Sequence, residues 1–170
     1  MLVKVRRAAL DIWRRYDAAV PVDIAGIIRS EGITLQKEEL EDDVSGMLVI
    51  QDDRVVIGVN SRHSQRRQRF TMAHELGHYV MHSSTSRVFF DESLLFFRNQ
   101  KSSEGTKKQE IEANNFAAEL LMPEPAIRQM LETPIDAFND GDVKKLASRF
   151  NVSSQALTIR LTKLGLLITV

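Results

Sequence analysis

The chain has no cysteine, which removes disulfides as a source of stability and thiolates as metal ligands. Any metal site must then be built from histidine and carboxylate. The absence also fits a cytoplasmic protein. Neither sign of charge is in excess, with 23 Lys+Arg against 23 Asp+Glu. Bulk electrostatics therefore give no reason to expect affinity for nucleic acid. No apolar run approaches the roughly 20 residues that span a bilayer. The opening Met1-Leu2-Val3-Lys4-Val5-Arg6-Arg7 lacks the apolar core and cleavage site of a signal peptide. No membrane role is expected, and no internal repeat is visible. What is present is 170 residues, 43% of them hydrophobic, enough for one domain or one domain with a small appendage.

The chain is organised around Thr71-Met72-Ala73-His74-Glu75-Leu76-Gly77-His78-Tyr79-Val80-Met81-His82. The pattern His-Glu-x-x-His puts two imidazoles on one helical face, one turn apart. Two neutral imidazoles so placed can bind one Zn²⁺, and the Glu between them stands where a general base for the metal's water is needed. The uncharged flank suits a helix buried on the side away from a cleft. The plainer alternative is an amphipathic surface helix with two histidines that happen to lie four apart.

Around this stretch, apolar spacing predicts a helix from Val5 to Tyr16 and a second from Pro21-Val22-Asp23 through Ile28, stopped near Gly32. Ile33-Thr34-Leu35 reads as a short strand, and the acidic Glu38-Glu39-Leu40-Glu41-Asp42-Asp43 as a solvated loop. Residues 46–50 and 54–59 form a β-hairpin, followed by the motif helix from Ser64 to His82. Val88-Phe89-Phe90 and Leu94-Leu95-Phe96-Phe97 are apolar fragments without a clear period, and 101–108 has the composition of a mobile loop. An amphipathic helix runs from Gln109 to Met122, ended by Pro123, and another short helix follows Pro125.

Hydrolytic zinc takes three protein ligands and keeps a fourth position for water. His82 lies two turns beyond His74, about 12 Å along the axis, too far to share the ion. It is expected to line the cleft, as is Tyr79. A third His at the spacing that follows some such motifs is absent, so a carboxylate is required. On the 109–122 helix the apolar stripe is Ala113, Phe116, Ala117, Leu120 and Leu121. At about 100° per residue Glu110 falls roughly 50° from its centre, while Glu112 and Glu119 fall more than about 100° away, toward solvent. Glu110 is thus the carboxylate aimed inward, with Asn114 one turn on and able to hold a ligand in place. The alternative for Glu110 is a flank charge bonded to a nearby arginine.

Arg67-Gln68-Arg69-Phe70-Thr71-Met72-Ala73-His74-Glu75-Leu76-Gly77-His78, together with residues 110–123, Glu-Ile-Glu-Ala-Asn-Asn-Phe-Ala-Ala-Glu-Leu-Leu-Met-Pro, resembles the ImmA/IrrE family of metallopeptidases. The likeness extends over about residues 20–167. It implies an α+β, minimal zincin fold of the gluzincin type: a small antiparallel sheet, an active-site helix and a C-terminal helix-turn-helix-like appendage. It assigns His74, His78 and Glu110 to the metal, Zn²⁺ with Mn²⁺ as a second possibility, and catalysis to Glu75. Family members are cytoplasmic proteins that cleave helix-turn-helix repressors of the XRE type, releasing mobile-element or stress-response genes. The first twenty residues are too short for a DNA-binding domain, so the repressor is expected to be a separate polypeptide.

Tyr79, His82, His63 and Arg69 are the nearby candidates for a second oxyanion donor, none favoured by its position. The hairpin 46–59 is the natural strand to align an extended substrate. In the tail, Val143, Leu146, Ala147 and Phe150 mark one helix. Asn151-Val152-Ser153 makes a turn with Ser153 as N-cap, and Leu157, Leu161 and Leu164 mark a second helix stopped by Gly165. This divides the chain into a peptidase domain, residues 1–134, and a helical subdomain packed on it, residues 135–170. The tail reads either as a mildly basic surface for DNA or repressor, with direct DNA binding the less favoured, or as a cap on the core. The functional alternative to a peptidase is a regulator or toxin-like partner that sequesters the repressor without cutting it. The sequence leaves the oligomeric state open.

Overall fold

In the computed structural model, which describes residues 2–17, 19–51, 54–83, 88–91, 104–131, 135–136 and 140–168, the N-terminal amphipathic stretch forms α1 (Leu2–Arg15). It buries Val5, Ala9, Leu10 and Ile12 and turns its arginines outward. Asp23 caps α2 (Ile24–Ser30), its Oδ1 accepting from the Gly26 amide at 3.0 Å. Gly32, at φ +76°, then reverses the chain where a side chain would be strained.

The strands β1 (Thr34–Glu38), β2 (Gly46–Gln51), β3 (Arg54–Asn60) and β4 (Val88–Asp91) form one sheet in the order β1-β3-β2-β4. The hairpin β2–β3 is antiparallel as expected, pairing Leu48 with Ile57; its tip, 52–53, lies outside the described residues. The sheet is nevertheless mixed and not wholly antiparallel, because β1 runs parallel to β3, from Thr34↔Val56 to Glu38↔Asn60. The β1–β2 connection must therefore cross the end of β3. Asn60 holds it there. Fully buried, its Nδ2 donates to the carbonyls of Leu40, Glu41 and Val44 at 3.3, 3.0 and 2.9 Å. The acidic stretch is thus partly strand (Glu38) and partly a tied crossover.

This order also corrects the expected role of the hairpin. Both its strands are interior, β2 being covered by β4 from Gly46↔Asp91 to Val49↔Val88. Among the described residues the edges of the sheet are β1 and β4, so Gly46–Val49 of β2 and Val56–Asn60 of β3 are not open to an extended substrate.

The motif helix α3 (Gln65–His82) is capped by Ser64 and packs on β2 and β3, where Leu48, Ile57 and Val59 are fully buried. Alongside it lies α4 (Glu104–Leu121). It begins within the stretch expected to be a mobile loop: 104–108 are helical, and 101–103 lie outside the described residues, as does 94–97. Packing along α3 supports turns that polar composition alone would not hold. Pro125 falls in the first turn of α5 (Glu124–Met130).

The tail folds as α6 (Asp140–Phe150) and α7 (Ser154–Lys163), with Asn151 at φ +52° between them and Ser153 Oγ accepting from the Ala156 amide at 3.1 Å. After Gly165 (φ +65°), β6 (Leu167–Ile168) pairs in parallel with β5 (Ile135–Asp136), a contact too short to leave a period in the sequence. Val143, Leu146, Phe150, Leu157 and Leu161 join the same apolar core as α3 and α4. Arg160 is buried, its Nη2 paired with Glu119 and its Nε donating to the Met122 carbonyl at 3.2 Å. The result is an α+β fold of the minimal zincin type. Among the described residues no helix is long and apolar enough to cross a membrane.

Candidate metal centre

One turn apart on α3, the rings of His74 and His78 meet edge to face, centroids 4.7 Å apart. Their Nε2 atoms are 3.0 Å apart. From α4, Glu110 brings Oε2 to 3.2 Å from His74 Nε2 and Oε1 to 3.1 Å from His78 Nε2. All three residues are buried. A tetrahedral ion with bonds of about 2.0–2.1 Å has ligand–ligand edges of about 3.3 Å, so this triangle is already near the size that Zn²⁺ would require.

The protonation pattern suits the same conclusion. His74 Nδ1 lies 3.1 Å from Asn114 Oδ1. An amide oxygen only accepts, so the network assigns the proton to Nδ1 and leaves the Nε2 lone pair directed into the triangle. Burial pushes the Glu110 carboxyl up, but in the metal-free site hydrogen bonds and charge from His74 and His78, when these are protonated at Nε2, outweigh it and hold the group at about 2. A carboxylate is therefore present at any physiological pH. The proximity also excludes the arginine-paired flank charge as an account of Glu110.

Glu75 is fully buried and lies against the start of β2. A Cβ built on Gly46 would come 2.4 Å from Thr71 Cγ2 and 3.4 Å from Glu75 Oε1. His82 sits outside the triangle, its ring 5.6 Å from that of His78 and its Nε2 3.6 Å from Glu112 Oε2. Burial first, and then His78, push its pKa down.

Two expectations for α4 fail here. Glu112 is largely covered beside His82, and Glu119 is only 3% exposed, paired with Arg160. The single-stripe reading assumed one covered face, whereas α4 is packed by α1 as well as α3, and Arg160 of α7 reaches Glu119.

Of the residues weighed as a second oxyanion donor, Arg69 donates from Nη2 to the Val22 carbonyl at 2.8 Å, and His63 gives its carbonyl to Gln68 Nε2 at 2.7 Å. Tyr79 is half-buried against the core and, among the described residues, makes no hydrogen bond to the triangle. Not singled out from the sequence were Ser45, Gly46, Asn60 and Arg67, which tie the start of β2 to β3 and to α3; a glycine opening a strand is the one signal of close approach that could have pointed there.

Comparison with known proteins agrees with this geometry. Residues 28–162 match the model of a peptidase family, the IrrE N-terminal-like domain. The chain is 28% identical over 129 residues to the uncharacterized immunity region protein 2 of Bacillus phage phi105, covering 76% of this chain and 75% of that protein. It is 36% identical over 110 residues to the radiation response metalloprotease IrrE of Deinococcus radiodurans, covering 64% of this chain but only 31% of that one. In fold it is similar to a Mycobacterium tuberculosis transcriptional regulator, with a TM-score of 0.66 at 21% identity over 94% of this chain and 46% of the other. The chain thus spans under a third of IrrE and under half of the regulator. Because the family match runs through most of its length, this chain belongs to the IrrE N-terminal-like peptidase family.

Proposed function

We propose that this protein is a zinc-dependent endopeptidase that cleaves a helix-turn-helix repressor carried on another polypeptide, releasing mobile-element or stress-response genes. The observation that carries the reading is the convergence of His74, His78 and Glu110 into a buried triangle of ligand size, with Glu75 between the two histidines in sequence. The names of two relatives, one from a phage immunity region and one from a radiation response, support the biological setting. Zn²⁺ (or Mn²⁺) would be held by the two Nε2 atoms and the Glu110 carboxylate. When bound, such an ion acidifies a water and polarises a peptide carbonyl.

The chain's own residues do the rest. Asn114 holds His74 in the tautomer that offers Nε2. Glu75 accepts the proton of the attacking water and passes it to the leaving amine. Two neutral imidazoles and one carboxylate leave a dication site with net positive charge, which favours an oxyanion. A peptidase cleft takes its substrate in extended form, so the cut falls in a linker or a locally unfolded stretch of the repressor. Residues 1–134 form the peptidase domain in this reading and 135–170 a helical cap, a view supported by their common core.

The test is purified wild type against Glu75→Ala, each zinc-loaded and incubated with a helix-turn-helix repressor, fragments being read by mass spectrometry. Glu75→Ala should keep its zinc and cut slower by about 10²–10⁴-fold. If both proteins inactivate the repressor equally, the mechanism is sequestration and not hydrolysis.

A further inference from the structure

We propose that Leu40–Gly46 is a fixed rail that sets the position of the Glu75 carboxylate, with Asn60 and Arg67 as its anchors and Gly46 as its point of contact. The inference rests on the reading of Glu75 as the base, and it concerns residues outside the metal triangle.

Three observations meet in this segment. Asn60 is fully buried at the end of β3 and spends its side chain on the crossover: Nδ2 donates to Leu40, Glu41 and Val44, and Oδ1 accepts from the Arg62 amide at 3.0 Å. The Asn60 amide also donates to the Ser45 carbonyl at 2.9 Å. From the first turn of α3, Arg67 Nη2 donates to Ser45 Oγ at 2.8 Å, and Ser45 is only 2% exposed. The next residue, Gly46, has no room for a side chain. A Cβ there would stand 2.4 Å from Thr71 Cγ2, 2.9 Å from the Gly58 carbonyl oxygen and 3.4 Å from Glu75 Oε1.

Arg67, Thr71 and Glu75 are spaced four apart along α3, so they share one helical face. The rail is fastened to that face at its first turn and runs against it again at Thr71, one turn later and one turn before the base. A crossover that only closed the chain would need neither a four-bond buried asparagine nor van der Waals contact with α3. A base that must meet one proton at hydrogen-bonding distance needs its carboxylate held to a fraction of an ångström, since a displacement of about 1 Å costs on the order of 10²-fold.

The experiment uses the whole zinc-loaded chain with dye-quenched casein as the probe. Gly46→Ala should lower kcat about 10–100-fold with KM and zinc stoichiometry unchanged. Arg67→Met, at the exposed end of the rail, should lower kcat less and in the same sense. Crystal structures of metal-free wild type and Gly46→Ala should show the Glu75 carboxylate displaced and the His74 and His78 rings unmoved. Wild-type kcat in Gly46→Ala, or loss of zinc in step with kcat, would each overturn the proposal. If wild type cuts neither casein nor a helix-turn-helix repressor, the reading of Glu75 as base is in question. The crystallographic comparison then decides the rail by itself, and an unmoved carboxylate sinks it.

Discussion

Gly77 lies between His74 and His78 on α3, and a methyl added there would point at Phe116 of α4. The built Cβ falls 3.0 Å from Phe116 Cδ1 and 3.2 Å from its Cβ and Cγ. Two opposing terms decide what Gly77→Ala does. In a helix interior alanine is better than glycine by about 1 kcal/mol. Overfilling a packed interface costs about 1–3 kcal/mol. A flexible side-chain tip could move aside and let the first term win. Phe116 cannot, because two of the three atoms met are the root of its side chain and its ring is fully buried. Relief must come from separating α3 and α4 by a few tenths of an ångström.

That separation reaches the metal. Glu110 lies six residues before Phe116 on α4, and metal–ligand distances tolerate only about 0.2 Å of error. Gly77→Ala should therefore destabilise the metal-free protein by about 1 kcal/mol and weaken zinc binding about tenfold. Denaturant unfolding of the metal-free protein and zinc competition against a chromophoric chelator read the two effects separately. A variant more stable than wild type, with zinc affinity unchanged, would refute the close helix contact on which the triangle depends.

Asn114→Ala should weaken zinc binding about 10–100-fold while leaving the fold intact; unchanged affinity would mean that the His74 tautomer is set by something else. Zinc loading should weaken as pH falls, because protons compete with the ion for the two Nε2 atoms. Glu110, held at about 2, stays ionised while the histidines take up protons, so loading that is independent of pH down to the Glu110 titration would argue against histidine ligands. In the metal-free protein the depressed Glu110 group contributes stability that is present above its ordinary value of 4.5 and lost as pH falls toward about 2. Glu110→Gln should flatten acid unfolding in that window. Arg160→Met strands the buried Glu119 carboxylate and should cost about 3–5 kcal/mol in chemical unfolding, with Glu119→Gln recovering part of the loss; a loss below about 1 kcal/mol would mean that α7 is not anchored there.

How much of this could be read before the structure depended on whether the relevant interaction was local. The meeting of His74 and His78 was legible because four-residue spacing is itself the geometry. Glu110 was legible because one angular argument on α4 pointed it inward. The same argument misplaced Glu112 and Glu119, since a helical wheel locates a stripe but cannot say how many neighbours cover the rest of the cylinder. The parallel pairing of β1 was out of reach for a related reason: apolar alternation describes each strand and is silent on which strand it lies beside. Asn60 looked like the polar end of a hairpin, although it ties residues up to twenty positions away. The hardest residue to see was Gly46, whose contribution is the absence of atoms at a place that only the folded helix defines. Motif residues carry the chemistry in their side chains and announce themselves by type, whereas the residues that aim them do so through backbone contact, which leaves in the sequence little more than a glycine or an asparagine where nothing else would fit.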